Sequence, residues 1–252
     1  MIMIKSEAEI DKMREAGRIA GEILSEVGNN VAPGMTTKDL ELIACKAMDE
    51  RKVISAFKGY MGYPGWICVS VNDEVVHGIP GKRKLLDGDI VSIDVGIEKE
   101  GYYGDTAATY CVGQISPGKS LLLNTAKEAL WQGIKYAVEG NHLGDISAAI
   151  QQYVEKKGFS VVRDYVGHGI GSAMHEDPAI PNFGRAGVGP ELKTGMTLAI
   201  EPMVNAGSYS VKVKPDKWTV VTADGLSSVH FEHTIAVKKT EPEVFTCLKK
   251  NQ

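Results

Sequence analysis

Ile90–Val112 reads IVSIDVGIEKEGYYGDTAATYCV, and the fold depends on how this stretch pairs with itself. An alternating apolar run, a polar turn at Glu98-Lys99-Glu100-Gly101 and a second run rich in Tyr, Thr and Val predict a β-hairpin. A two- or four-residue loop centred between Lys99 and Glu100 sets Asp94 directly opposite Asp105. Like charges facing across a ladder repel, and two carboxylates that close cannot both ionise cheaply. This register requires something positive between them. A register shifted by one turns both aspartates to water instead, and the segment alone leaves the two open.

A chain of 252 residues accommodates one large domain or two fused halves. Its apolar share of 43% and charged share of 24% are those of an ordinary globular protein. The formal net charge of −4 argues against a general nucleic-acid binder, which carries a basic face. No apolar run approaches the ~20 residues of a membrane span, and the apolar segment in MIMIKSEAEI is too short for a secretory signal. Cys45, Cys68, Cys111 and Cys247 are scattered without a CxxC pair. That pattern disfavours a zinc knuckle or redox motif and fits free thiols in a reducing cytoplasm.

Ser6 followed by Glu9 is a capping-box pattern, and Ile10, Met13, Ile19, Ile23, Leu24 and Val27 continue it as a helical stripe ending near Gly28. Pro33-Gly34 turns the chain into a second helix from Thr36/Thr37 to about Arg51. The glycine-rich KGYMGYPGW follows, then a strand from Trp66 to Val76 and a loop at His77–Pro80. Beyond the hairpin, Ser116-Pro117-Gly118 is the best linker candidate. Helices are expected at Asn124–Val138 and Asp145–Lys157, and strands at Thr197–Val204, carrying Glu201, and Val229–Val237, carrying Glu232.

The chain also repeats itself. LLDGDIVSID (85–94) aligns with LKTGMTLAIE (192–201) at an offset of 107, matching Gly88 to Gly195 and Asp94 to Glu201. APGMTTKDLEL (32–42) aligns with VEGNHLGDISA (138–148) at an offset of 106, matching Gly34 to Gly140 and Asp39 to Asp145. Two similar halves, about 1–115 and 116–252, follow from this, each of helices and then antiparallel strands. An acid ends the matched strand in both, so a site between the halves is expected.

Asp94, Asp105, His168, Glu201 and Glu232 are the candidate metal ligands. Singly, each has a plainer explanation, the acids as polar strand faces and His168 as a histidine in a glycine turn. Together, four carboxylates carry a charge that two divalent cations would neutralise. One imidazole among oxygens suits Co, Mn, Fe or Zn better than an all-oxygen Ca or Mg cage.

These residues lie in segments that resemble the methionine aminopeptidases over nearly the whole chain, in particular the short bacterial type I enzymes. The segments are VSVNDEVVHGIP, IVSIDVG, YYGDTAATYCVG, GHGIGSAMHEDPAIPN, MTLAIEPM and TVVTADGLSSVHFEHTIAV. The resemblance implies the pita-bread fold, an α/β (α+β) fold of two pseudo-symmetric halves with antiparallel sheet and outer helices. It implies a metal-dependent hydrolase of the cytoplasm that removes the initiator methionine from nascent proteins and peptides when the second residue is small. By position, Asp94 should bind one of two divalent ions, His168 and Glu201 the other, and Asp105 and Glu232 both. Glu201 is implied as general base for a water acidified by the pair, and His175 as donor to the oxyanion of the tetrahedral intermediate. His77 is implied to contact the substrate backbone. Tyr60, Tyr63, Cys68, Trp218, Phe57 and Met174 match positions that line the methionine side-chain pocket, where aromatic rings suit a thioether.

Some residues depart from the family pattern. Met174 stands where relatives often carry an aromatic residue, Val76 where they carry cysteine, and His230 where many have glutamine. His230 and His233 are weaker candidates, read as structural or as supporting the ligands, and are left out of the site. The chain lacks the N-terminal extension of many eukaryotic members and any large insertion between His168 and Glu232, which fits type I better than type II. Methionyl peptides, nascent chains and transient contact with the ribosome are the implied partners, for a monomer with no nucleic-acid specificity and no membrane association. The alternatives are a proline-specific aminopeptidase of the same fold, which usually carries a further N-terminal domain, and a non-catalytic binding protein, which would have lost ligands.

Overall fold

The computed structural model describes residues 1–247. Helix α1 (Glu7–Asn29) begins where Ser6 and Glu9 cap it reciprocally: the Ser6 N–H donates to Glu9 Oε2 at 2.8 Å, and the Glu9 N–H to Ser6 Oγ at 3.4 Å. Helix α2 (Thr37–Arg51) repeats the device with Thr36 and Asp39. Their apolar stripes pack on the hairpin in one core that joins Ile23, Leu40 and Met48 to Ile67, Ile93 and Ile97. Helices α3 (Pro117–Ile134) and α4 (Leu143–Lys156) anchor a second core with Leu198, Ile200, Val229 and Ile235. The sheet ladders are antiparallel throughout.

The hairpin forms, but in a different register. Strands Ile90–Lys99 and Tyr102–Cys111 pair Asp94 with Ala107 and Gly96 with Asp105. Asp94 and Asp105 are thus diagonal neighbours, not opposite residues. The cause lies in the turn. Glu100 and Gly101 both take positive φ (52° and 81°), the two-residue geometry whose twist suits a hairpin, so the loop is centred one residue later than expected. The displacement is two residues in register, an even number, so both aspartates keep the same face. A one-residue slip would have put them on opposite faces, rather than turning both to water as the alternative register supposes.

The internal repeat is visible as matching hydrogen bonds. The Gly34 N–H donates to the Leu85 carbonyl at 2.8 Å and the Gly140 N–H to that of Leu192 at 3.0 Å. The Gly88 N–H donates to Val112 O at 2.8 Å and the Gly195 N–H to Val237 O at 3.1 Å. All four glycines sit at φ between 89° and 93°, where a side chain would strain the turn. The Thr36 N–H meets Asp39 Oδ2 at 2.8 Å, and the His142 N–H meets Asp145 Oδ2 at 2.7 Å.

Local differences from expectation have local causes. Ser116-Pro117-Gly118 is no linker. Ser116 caps α3 and Pro117 occupies its first turn, where the missing N–H costs nothing. The Trp66–Val76 strand is split by a turn at Asn72 (φ 58°) into Cys68–Val71 and Glu74–Val76. The strands expected to carry Glu201 and Glu232 are each interrupted at the acid. Thr197–Ile200 and Met203–Asn205 flank Glu201-Pro202, while Ser228–His230 and His233–Ala236 flank Phe231-Glu232. Pro202 has no N–H for a ladder. Since Ile200 pairs with His233 and Met203 with His230, the register sets Glu201 opposite Glu232 across the gap.

Threonines tie the hairpin to this interrupted ladder. Thr234 Oγ1 accepts from the Asp105 N–H at 3.1 Å and donates to the Asp105 carbonyl at 2.7 Å. Thr106 Oγ1 donates to the Glu232 carbonyl at 2.9 Å, and the Glu232 N–H to the Ala107 carbonyl at 2.9 Å. Two acids from distant parts of the chain are thereby fixed side by side.

The hairpin's seating on α1 gives a direct test. A Cβ on Gly104 would lie 2.7 Å from the Ala16 carbonyl carbon and the Gly17 nitrogen, and backbone cannot yield. Gly104→Ala should destabilise the protein by about 1–3 kcal/mol in denaturant titrations. Gly118→Ala, with open space at its Cβ, should leave stability unchanged or slightly higher.

Candidate metal centre

Four carboxylates and an imidazole converge where the two ladders meet. Asp105, His168 and Glu232 each offer a ligand atom within 4.8 Å of the others. His168 Nε2 lies 3.6 Å from Glu201 Oε1 and 3.9 Å from Asp105 Oδ2. His168 Nδ1 is 2.8 Å from the Gly169 carbonyl, which can only accept, so Nδ1 carries the proton. That leaves the Nε2 lone pair facing the carboxylates, the state a metal-ligating histidine needs.

The polar atoms are left wanting. Asp94 Oδ1, Asp105 Oδ1, Glu232 Oε1 and His230 Nε2 are buried without a hydrogen-bond partner. Among the described residues no lysine or arginine lies within salt-bridge distance of the four acids. Burial and mutual repulsion push Asp94, Glu201 and Glu232 well above the usual carboxylate range. Asp105 rises to about 7, burial again being the main cause. Buried carboxylates with orphaned oxygens and a lone pair aimed among them fit divalent cations.

Beside this cluster opens a cavity of about 350 Å³. Every residue singled out from the sequence reaches it: Asp94, Asp105, His168, Glu201 and Glu232 on the polar floor, His77 and His175 beside them, and Phe57, Tyr60, Tyr63, Cys68, Met174 and Trp218 as walls. The Tyr63 hydroxyl donates to the Gly78 carbonyl at 2.9 Å, and its ring meets Trp218 edge-on at 5.2 Å. Cys68 is buried, and burial holds its thiol protonated. His77, at φ 59°, packs against Tyr165 and is lowered to about 4 by burial and then by His175. His168 is also lowered to about 4 by burial, and burial lowers His175 as well.

Three features escaped the sequence. Met61 lines the cavity although it is exposed, because a left-handed backbone (φ 47°) turns it at the tip of the glycine loop. His230, set aside as structural or supporting, has its Nε2 3.4 Å from Glu201 Oε2 and lines an adjoining space of about 130 Å³. Its place two residues before Glu232, across the ladder from Met203, was the available signal. Thr234 carries no chemistry that a sequence marks, yet it fixes Asp105. His233 fits the structural reading: its Nδ1 meets Thr246 Oγ1 at 2.8 Å.

Helices outside antiparallel ladders, with a carboxylate-rich cavity at their junction that fits divalent cations, define a metal-binding protein. The model of metallopeptidase family M24 matches residues 11–239. A methionine aminopeptidase of Clostridium perfringens is 52% identical over 99% of this chain and 100% of its own length. The crystal structure of methionine aminopeptidase from Rickettsia prowazekii superposes with a TM-score of 0.96 at 44% identity, covering 98% of this chain and 100% of that one. An Xaa-Pro dipeptidase from Bacillus anthracis shares the fold at a TM-score of 0.78 and 24% identity, with 98% of this chain covering 63% of that one. The chain belongs to metallopeptidase family M24, within its bacterial type I methionine aminopeptidases, and has their pita-bread fold.

The buried groups give metal-free protein a characteristic pH response. Histidines held near 4 (His77, His168, His233) and about 3 (His230), against 6.5 unfolded, favour the folded state as pH rises to 6.5. Acids with raised values act oppositely: the folded state keeps protons that the unfolded chain has released, so stability falls as pH rises. Above 6.5 the histidines no longer oppose the acids, so the melting temperature of chelator-treated protein should fall as pH rises further, and saturating Mn or Co should remove the fall. A scan that rises over this window without metal would contradict the assignment.

Proposed function

We propose that this protein hydrolyses the first peptide bond of chains that begin with methionine, when the second residue is small, and that it does so with two divalent ions. The observation that carries the reading is the convergence of four carboxylates, Asp105 and Glu232 buried and Asp94 and Glu201 half-buried, beside an aromatic-walled cavity of about 350 Å³. In this assignment Asp94, His168 and Glu201, together with Asp105 and Glu232, would hold the ions. Bound there, the ions supply Lewis acidity and make a water acidic enough to ionise near neutral pH.

The chain's own residues do the rest. Glu201 accepts the proton of the attacking water as general base. His175 donates to the carbonyl oxygen as it becomes an oxyanion in the tetrahedral intermediate. His77 contacts the substrate backbone. Tyr60, Tyr63, Cys68, Trp218, Phe57 and Met174 enclose the methionine side chain, each sulfur–ring contact adding about 0.3–1.5 kcal/mol. Co, Mn, Fe and Zn all suit the donor set. The unit is one catalytic domain of two halves, about 1–115 and 116–252, acting as a monomer in the cytoplasm on nascent chains, in transient contact with the ribosome. Among the described residues no helix is long and apolar enough to cross a membrane.

A competition among Met-Ala, Met-Leu and Ala-Pro peptides, repeated with each metal, separates the readings. Release of methionine from Met-Ala is expected. Preference for Ala-Pro would favour a proline-specific enzyme, and no cleavage with any metal a binding protein. Asp105→Asn and Glu232→Gln should each abolish cleavage while circular dichroism shows the fold retained; full activity in either would defeat the two-metal assignment.

A further inference from the structure

His175 is gripped from one edge by a residue of the glycine-rich loop. Its Nδ1 lies 2.9 Å from the Tyr60 hydroxyl, with the two rings 5.2 Å apart and tilted at 36°. Its ring also packs 4.3 Å from that of His168. Tyr60 stands at the tip of a turn in which Gly59, Met61 and Gly62 all take positive φ (84°, 47° and 90°). Nothing lies within 4 Å of a Cβ built on either glycine. The base of the loop is fixed instead. The Tyr63 hydroxyl is bound to the Ile67 and Gly78 carbonyls, and the Phe57 N–H donates to Ser55 Oγ at 3.1 Å. Tyr60 is held in that turn by its own backbone, its N–H donating to the Phe57 carbonyl at 3.0 Å and its carbonyl accepting from the Tyr63 N–H at 2.8 Å.

A neutral imidazole has one N–H, and the bond made by one nitrogen decides which of the two carries it. A phenol hydroxyl can donate or accept. An oxyanion can only accept, so a donor His175 must carry its proton on Nε2. If Nδ1 donated to the phenol oxygen, the Nε2 lone pair would face the developing negative charge and repel it. If the phenol donates to Nδ1, the proton is held on Nε2.

We propose that Tyr60 is a positioning residue: its hydroxyl donates to Nδ1 of His175 and holds the ring in the Nε2–H tautomer. This rests on the role of His175 given above. One side chain then serves two tasks, as a wall of the side-chain pocket and as the group that sets the oxyanion donor.

The contact can be read without turnover. In chelator-treated, 15N-histidine-labelled protein, with the His175 signals identified by their loss in His175→Asn, long-range nitrogen–proton spectra should show the Nε2–H form with Nδ1 hydrogen-bonded. Tyr60→Phe keeps the ring and removes the donor, and should shift Nδ1 to its unbonded position with mixed tautomers. With metal, Tyr60→Phe should lower kcat on a Met-Ala-Ser peptide about tenfold, the factor that one hydrogen bond's net contribution sets, with KM changed less than about twofold. Introduced into His175→Asn, the same change should add no further loss. An Nδ1–H tautomer in the wild type would overturn the proposal, as would a Tyr60→Phe variant with unaltered Nδ1 signal and unaltered kcat. If the wild type cleaves no methionyl peptide but the Nδ1 signal moves as described, the proposed reaction fails and the Tyr60–His175 contact stands.

Discussion

Four carboxylates in one buried cavity cannot all be ionised unless positive charge joins them. Asp94, Asp105, Glu201 and Glu232 are held in this condition by the fold, with three oxygens orphaned and no lysine or arginine in reach among the described residues. Without cations the protein answers by retaining protons, which is why all four acids are shifted upward. Repulsion of this kind is unfavourable to folding and is accepted only where a ligand repays it. The architecture around the cavity is best understood as the means of enforcing that proximity.

Two ladders do the enforcing. The hairpin presents Asp94 and Asp105 on one face, and the interrupted ladder presents Glu201 opposite Glu232. Thr234 and Thr106 lock the ladders to each other through backbone bonds at the acids themselves. The interruption at Pro202 matters as much as the pairing. A continuous strand would keep both glutamates on a pleated face, whereas a break lets them turn toward His168 and the hairpin. The aromatic cavity is built from the other side by the glycine loop and Trp218.

Much of this was legible in the sequence because it rests on local rules. Capping boxes mark the starts of α1 and α2, and matched glycines at offsets of 106 and 107 reveal the repeat, because turns at φ near 90° admit little else. The acids and the first-named histidines were found by residue type and motif. What failed was finer. The hairpin register depended on which two residues take positive φ, and Glu100-Gly101 was the pair that an X-Gly turn favours. The breaks at Glu201 and Glu232 and the threonine locks come from contacts up to 129 residues apart, which no local pattern encodes. Met61 was missed because only its left-handed backbone brings an exposed side chain to the cavity.

The central claim is that the acids form one site for two cations, with Asp105 and Glu232 shared. Anomalous diffraction from crystals grown with excess Mn tests it without reference to turnover. The account predicts two peaks roughly 3.5–4 Å apart, with Asp105 and Glu232 touching both, Asp94 touching one, and His168 and Glu201 the other. A single peak at saturating metal, or a pair that leaves Asp105 or Glu232 bound to one ion only, would contradict it.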